Sequence, residues 1–254
     1  MSWASRRRFL YGLGLFIFFA IVIGIPTAIL LYEPSSCFDG KQNQGETAID
    51  KGGPCTLLDE RTLNPISILW SRAFPVRGGL YSAVAYVENP NEEAGTQKVN
   101  YRFGLYDERN VLVAERKGTT FIIPGGITPV FEGAINTGNR TVARAYFEFT
   151  SVPVWERTKN AASVLAVSNK SITKSESTLR LSAKVKNTSV APVLSPSFVA
   201  VVFDPADNAF VASATTLQRL APNEEREIIF AWPDPLPAVV GRIDILPVLP
   251  PARE

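Results

Sequence analysis

Residues 101–107 read Tyr-Arg-Phe-Gly-Leu-Tyr-Asp, with Tyr101, Phe103 and Leu105 alternating with Arg102 and Gly104. A period of two with one polar face marks a half-buried β-strand. Leu179, Leu181, Ala183 and Val185 alternate in the same way with Arg180, Ser182, Lys184 and Lys186. Between such runs lie clusters of turn formers, among them ENPNEEAG, DERN, PGG, NTGN, KNTS, DPADN and APNEE, at spacings that suit an antiparallel sandwich. No helical period of comparable length competes in this part of the chain.

The same stretch recurs. Tyr86-Val87-Glu88-Asn89 lines up with Lys184-Val185-Lys186-Asn187, GLYDERNVLVA with VVFDPADNAFVA, and FIIPGG with QRLAPNE. In each copy a strand ends at an Asn turn, a second enters a hairpin through an aromatic-Asp pair (Tyr106-Asp107, Phe203-Asp204), and a proline precedes the next strand. The offset stays near 97 to 98 residues, about one immunoglobulin-like sandwich. The expectation is therefore an all-β protein of two tandem immunoglobulin-like β-sandwiches, over 64–156 and 162–250, with the segment 151–161 as a hinge. Residues 56–69 read as a connector with a short helical turn before Pro65.

Phe103-Gly104-Leu105-Tyr106-Asp107 resembles the signature of the FxLYD family of prokaryotic extracytoplasmic domains, with Phe103, Leu105, Tyr106 and Asp107 in the motif positions. The preceding asparagine turn and the following Pro-Gly turn fall at suitable distances. The second copy departs, reading Ala200-Val201-Val202-Phe203-Asp204. The resemblance implies a small sandwich, related in fold to water-stress LEA-type β-domains, and an envelope setting. It implies no substrate, and function must come from sites.

Working toward the N-terminus, Phe9–Tyr32 carries no charge and is long enough to cross a hydrocarbon core as a helix, for which about 20 residues suffice. Arg6, Arg7 and Arg8 precede it, so the positive-inside tendency puts residues 1–8 in the cytoplasm and everything from Glu33 onward outside. A cleaved signal peptide would have an apolar run of about 7 to 15 residues ending at a small-x-small site, whereas PTAILLYEP stays bulky. A lipidated Cys37 would want an aliphatic residue three positions earlier, where Pro34 stands. The expected localisation is a single-pass cell-membrane protein, anchored in the bilayer through residues 9–32, with its bulk extracytoplasmic.

Residues 33–63 form the expected juxtamembrane segment. In an oxidising compartment Cys37 and Cys55 would pair and close its polar, Gly-rich loop, worth about 3 kcal/mol in the chain-entropy model. The loop resembles a cysteine-rich element of extracytoplasmic bacterial proteins, C-x-D-G-x-x-N-x-x-E-T-x-x-D-C-G-G-x-C. Cys37, Asp39, Gly40, Asn43, Glu46, Thr47, Asp50, Gly52, Gly53 and Cys55 match, and Lys51 replaces one cysteine. Asp39, Asn43, Glu46 and Asp50 invite a calcium reading, because hard cations take clustered oxygens. The spacing fits an EF-hand loop poorly, since Lys41 and Gln44 stand where an oxygen ligand and a glycine are needed, and Asx-type turns explain the same residues.

Composition bounds the chemistry. Of the 26 basic residues three precede the apolar run, and the remainder nearly balances the 24 acidic ones, which argues against a nucleic-acid-binding face. Histidine is absent, which removes the commonest general base and metal ligand. Ser171-Ile172-Thr173-Lys174 spells the S-x-x-K nucleophile motif but lacks its companion motifs and a helix start. Asp204 and Asp207 flank a Pro-Ala pair and suit a turn better than acid–base work. Asn139, Asn169 and Asn187 begin N-x-S/T sequons. Tyr86 and Trp232 are expected in the core, and Trp155 is the aromatic expected to contact a partner.

These readings converge on a non-catalytic interaction or scaffold protein of the envelope, with no cofactor and an envelope protein as partner. The alternative is an extracytoplasmic small-ligand-binding or adhesion module.

Overall fold

In the computed structural model, which describes residues 3–32, 34–174, 179–232 and 238–253, the chain forms two compact units, Met1–Pro54 and Cys55–Glu254. The first opens with helix α1 (Trp3–Phe19), which runs through a π turn (Ala20–Gly24) into α2 (Ile25–Leu31). The helical segment of 29 residues is long and apolar enough to cross a membrane. It starts earlier than the uncharged run, so Arg6, Arg7 and Arg8 lie on its first turns, and the Arg7 guanidinium sits 4.1 Å from the Trp3 ring. The π turn has a local cause. Pro26 has no N–H to donate and its ring crowds the preceding turn, so the helix widens just before it. The Thr27 hydroxyl donates to the Ile23 carbonyl at 2.7 Å, a side-chain bond back to the π turn.

The second unit is almost entirely strand. Its first half contains β1 (Ser67–Arg77), β2 (Leu80–Asn89), β3 (Ala94–Tyr106), β4 (Leu112–Ile122), β5 (Gly126–Asn136) and β6 (Arg144–Phe149). After β7 (Glu156–Lys159), the second half contains β8 (Leu165–Lys174), β9 (Leu179–Asn187), β10 (Val193–Leu194), β11 (Ser197–Phe203), β12 (Ala209–Thr216), β13 (Arg219–Leu220), β14 (Glu225–Trp232) and β15 (Arg242–Val248), and β16 (Ala252–Arg253) ends the described chain.

The repeat expected from sequence governs the pairing. Sheet β1-β2-β5 has its counterpart in β8-β9-β14, and β4-β3-β6 in β12-β11-β15, all antiparallel. Each pair of sheets encloses its own core. Ala83, Ala85, Val87, Phe103, Leu105 and Phe147 fill the first, and Leu181, Val185, Phe198, Val202, Phe230 and Trp232 fill the second.

The two sandwiches are not strung on a hinge. Val84 and Tyr86 of β2, Phe74 of β1, and Val199, Val201 and Phe203 of β11 form a third buried cluster, edged by Trp70, Phe131 and Leu246. Sheet β1-β2-β5 of the first sandwich therefore packs on sheet β12-β11-β15 of the second, giving four stacked layers. Strands β2 and β11 are consequently buried on both faces, and their sequences read as continuous apolar runs rather than alternations. Equivalent positions elsewhere are polar. Arg102, Gly104 and Tyr106 stand where the joint uses Val199, Val201 and Phe203, and Ser182 and Lys184 where it uses Val84 and Tyr86. The outer sheet faces thus lack the joint's apolar chemistry, and the stacking stops at two.

Two corrections to the expected boundaries follow. The segment 151–161 contains β7, which pairs with β3 (Ala94↔Arg157, Gly95↔Glu156) and with β16 (Ala252↔Lys159, Arg253↔Thr158), so the chain's last strand returns to the first sandwich's sheet. Four residues, Glu-Arg-Thr-Lys, held by backbone pairing carry no apolar period to announce a strand. The first domain also begins before 64. Leu57 bridges to Glu156, the Leu58 amide donates to the Trp155 carbonyl at 2.9 Å, and Leu58, Leu63 and Ile66 pack on Ala94, Val99, Ile122 and Trp155. The expected turn before Pro65 is a 3-10 turn at Glu60–Thr62, capped by the Asp59 side chain.

The contrast between equivalent positions is measurable. Phe203→Ala removes a ring buried in the joint and is expected to cost about 3–5 kcal/mol. Tyr106→Ala, at the matching outward position, loses an edge-on contact with Tyr146 and the ring's cover over Gly104 but no ring buried in a core, and is expected to cost less, about 1 kcal/mol. Denaturant unfolding of the two variants checks both.

Candidate functional site

The cysteine loop is built on its own backbone. Cys37 and Cys55 are disulfide-bonded, as expected. Asp39 accepts from the amides of Lys41 at 2.8 Å and Ser36 at 3.1 Å and from the Asn43 side chain at 2.8 Å. Asp50 accepts from the Gly40 amide at 3.2 Å, and one Glu46 oxygen accepts from the amides of Asn43 and Asp50 at 3.3 and 3.2 Å. The side-chain hydrogen bond from Asn43 and the amides of Ser36 and Lys41 hold the Asp39 carboxyl below the usual range. The carboxylates offered to calcium by the sequence reading are thus turned toward loop N–H groups, the arrangement of Asx-type turns.

The motif residues divide between core and turn. Phe103 and Leu105 are fully buried. Tyr106 lies over Gly104, where an added Cβ would come within 2.8 Å of its ring, which is why that outward position takes no side chain. Asp107 closes its hairpin by accepting from the amides of Arg109 at 3.0 Å and Val111 at 2.9 Å. Asp204 does the same in the second copy, from Ala206 at 2.9 Å and Asn208 at 2.8 Å, and Asn110 and Asp207 take positive φ at the same position of their hairpins.

The asparagine turns match as well. The Asn89 side chain donates to the carbonyls of Ala94 and Ile123, and that of Asn187 to Ala191, Leu220 and Ala221. Of the three sequons, Asn139 and Asn169 are exposed, whereas Asn187 is fully buried with its amide committed to those carbonyls. Ser171 shares a hydrogen bond with Ser182 at 2.9 Å on an exposed strand face, and the side chain of Lys174 lies outside the described residues.

Trp155 is only 9% exposed and packs against its own chain, so the expected partner contact is corrected to a structural one that docks the entry segment. Trp232 is in the second core as expected, while Tyr86 is buried in the joint rather than in its own sandwich.

The joint has a polar rim. The Tyr86 hydroxyl donates to Asp244 at 3.4 Å, and burial pushes its ionisation up. Arg242 stacks 3.8 Å over the Phe203 ring and pairs with Asp207 at 2.9 Å and with Asp244. Arg72, on the β1 face toward the second sandwich, donates to the Ala209 carbonyl at 3.0 Å and to the Asn208 side chain at 3.4 Å. Beside it opens a cleft of about 540 Å³ whose walls are β1, β6 and the start of β12. Ser71 Oγ donates to the Ala145 carbonyl at 2.7 Å, joining β1 to β6 by a side chain instead of a backbone ladder.

Sequence reading passed over Arg72, Arg144 and the joint itself. The available signal was the pair of continuous apolar runs, Ala83–Val87 and Phe198–Phe203, which exceed what a half-exposed strand needs.

No family model matches this chain, and no curated protein matches it. Among solved structures it is similar to red sea bream transglutaminase, at 12% identity over 74% of this chain and 30% of that one, with a TM-score of 0.25. It is also similar to a Bacteroides uniformis β-glucuronidase, at 12% identity over 76% of this chain and 25% of that one, with a TM-score of 0.20. Likeness at this level carries no argument about activity.

The paired hairpins predict an acid response. Backbone amides, Val111 N–H foremost for Asp107 and Asn208 N–H for Asp204, hold both carboxyls below the usual range. A depressed folded pKa stabilises above the unfolded aspartate value of about 4, and that stabilisation is lost as pH falls through the folded values. Carbon-detected NMR titration should find both carboxyls protonating late, and Asp107→Asn with Asp204→Asn should flatten the acid limb of the stability profile.

Proposed function

We propose that this chain is a single-pass, membrane-anchored, non-catalytic interaction or scaffold protein of the cell envelope, holding its two sandwiches outside the membrane. The observation that carries this reading is the apolar joint of Phe74, Val84, Tyr86, Val199, Val201 and Phe203, because a spacer must keep its contact surfaces at fixed separation. Strand β7 and the returning β16 support it by replacing a flexible link with backbone pairing. The apolar helix and its leading arginines support the anchor and its orientation, and the disulfide supports an oxidising exterior. Kinship with the FxLYD domains accords with the core and turn roles of Phe103, Leu105 and Asp107. Open sheet edges supply the contacts, by strand addition.

In-cell crosslinking of the full-length protein, followed by purification from the membrane and mass spectrometry, is expected to yield a reproducible, stoichiometric envelope protein. Self-crosslinks alone would contradict the proposal. Carbonate-washed membranes are expected to retain the chain with residues 9–32 attached, and a mature product starting beyond Tyr32 would contradict the anchor.

A further inference from the structure

Arginines on this unit are mostly neutralised by neighbouring carboxylates. Arg102, Arg140, Arg242 and Arg253 each have one at 2.8–3.1 Å. The two arginines of the cleft are different. Arg72 is held by a carbonyl and an amide oxygen, and Arg144 donates to the Asn110 side chain at 2.6 Å. Neither forms an ion pair among the described residues, although Asp204 lies near enough to feel the Arg72 charge. Two guanidinium groups fixed by neutral acceptors leave the cleft with positive charge and unused donors, a setting that favours carboxylates.

The walls add a second requirement. Among the described residues β1 pairs only with β2 and β6 only with β3, so each leaves a strand edge without a backbone partner beside the cleft, apart from the Ala145 carbonyl that Ser71 occupies. No backbone hydrogen bond joins them among the described residues. The open run on β1 extends to Phe74 before Pro75, which has no N–H, ends it. Exposed Tyr146 gives the same cleft an apolar wall. A free phosphate or a single carboxylate would satisfy the arginines but neither edge.

We infer that the cleft between β1 and β6 binds an extended peptide segment of another protein that carries acidic side chains. The peptide backbone adds to an unpaired edge, and side chains from its two faces place carboxylates on Arg72, which faces the second sandwich, and on Arg144, which faces outward beside Asn110. This rests on the interaction reading above and specifies the chemistry of the partner.

The test is selection of twelve-residue peptides from a random phage library on the full-length protein in neutral phosphatidylcholine nanodiscs. Enrichment of Asp or Glu among β-formers is expected, with affinity falling about ten-fold or more in Arg144→Gln and further in Arg72→Gln/Arg144→Gln. Arg144→Gln keeps the fold under test intact, since among the described residues that side chain bonds only Asn110, and thermal unfolding verifies it. Binders without acidic enrichment, binders indifferent to both substitutions, or no binders at all would overturn the inference. If the double variant still captures the crosslinked envelope partner undiminished, the cleft assignment fails while the scaffold reading stands.

Discussion

Burial of β2 and β11 on both faces is the constraint on which the rest of the second unit depends. Each strand donates one set of side chains to its own core and the opposite set to the joint: Ala83, Ala85 and Val87 against Val84 and Tyr86, and Phe198, Ala200 and Val202 against Val199, Val201 and Phe203. A one-residue slip in either strand would exchange the two sets and place Tyr86 or Phe203 in a core shaped for alanine and valine. Register, core and joint are therefore set by the same hydrogen bonds.

Placing that joint between unlike sheets has a consequence for assembly. Sheet β1-β2-β5 of one copy meets sheet β12-β11-β15 of the other, a head-to-tail contact that could in principle continue with further copies. It ends because the outward-facing counterparts are Arg102, Gly104 and Tyr106 on one side and Ser182 and Lys184 on the other. Arg102 is further tied to Glu115 and Glu148, so burying that face would strip a hydrated charge network. The free surface left for partners is then the edges and the cleft beside the joint.

Much of this was legible in the sequence, and the residues show why. Asn89 with Asn187 and Asp107 with Asp204 mark local turns, whose chemistry depends on a few adjacent atoms, so their repetition carries directly into matching hydrogen bonds. The apolar helix is legible for the same reason. The hinge expected at 151–161 failed because pairing of β7 with β3 and β16 draws on backbone groups that every sequence has. Trp155 was misplaced because an aromatic beside a proline looks the same whether it meets a partner or its own entry segment. The cleft arginines lie 72 residues apart in sequence and are brought to one place only by the fold.

Fixed geometry of the two sandwiches is the central claim, and a distance measurement tests it most directly. Spin labels at Lys117→Cys and Lys186→Cys, on exposed strand positions of the first and second sandwich, can be read by double electron–electron resonance on the full-length protein in nanodiscs. A single narrow distance distribution is predicted, broadening when Val201→Asp disrupts the joint. A broad distribution in the otherwise unaltered protein would mean that the sandwiches move independently and would contradict the account.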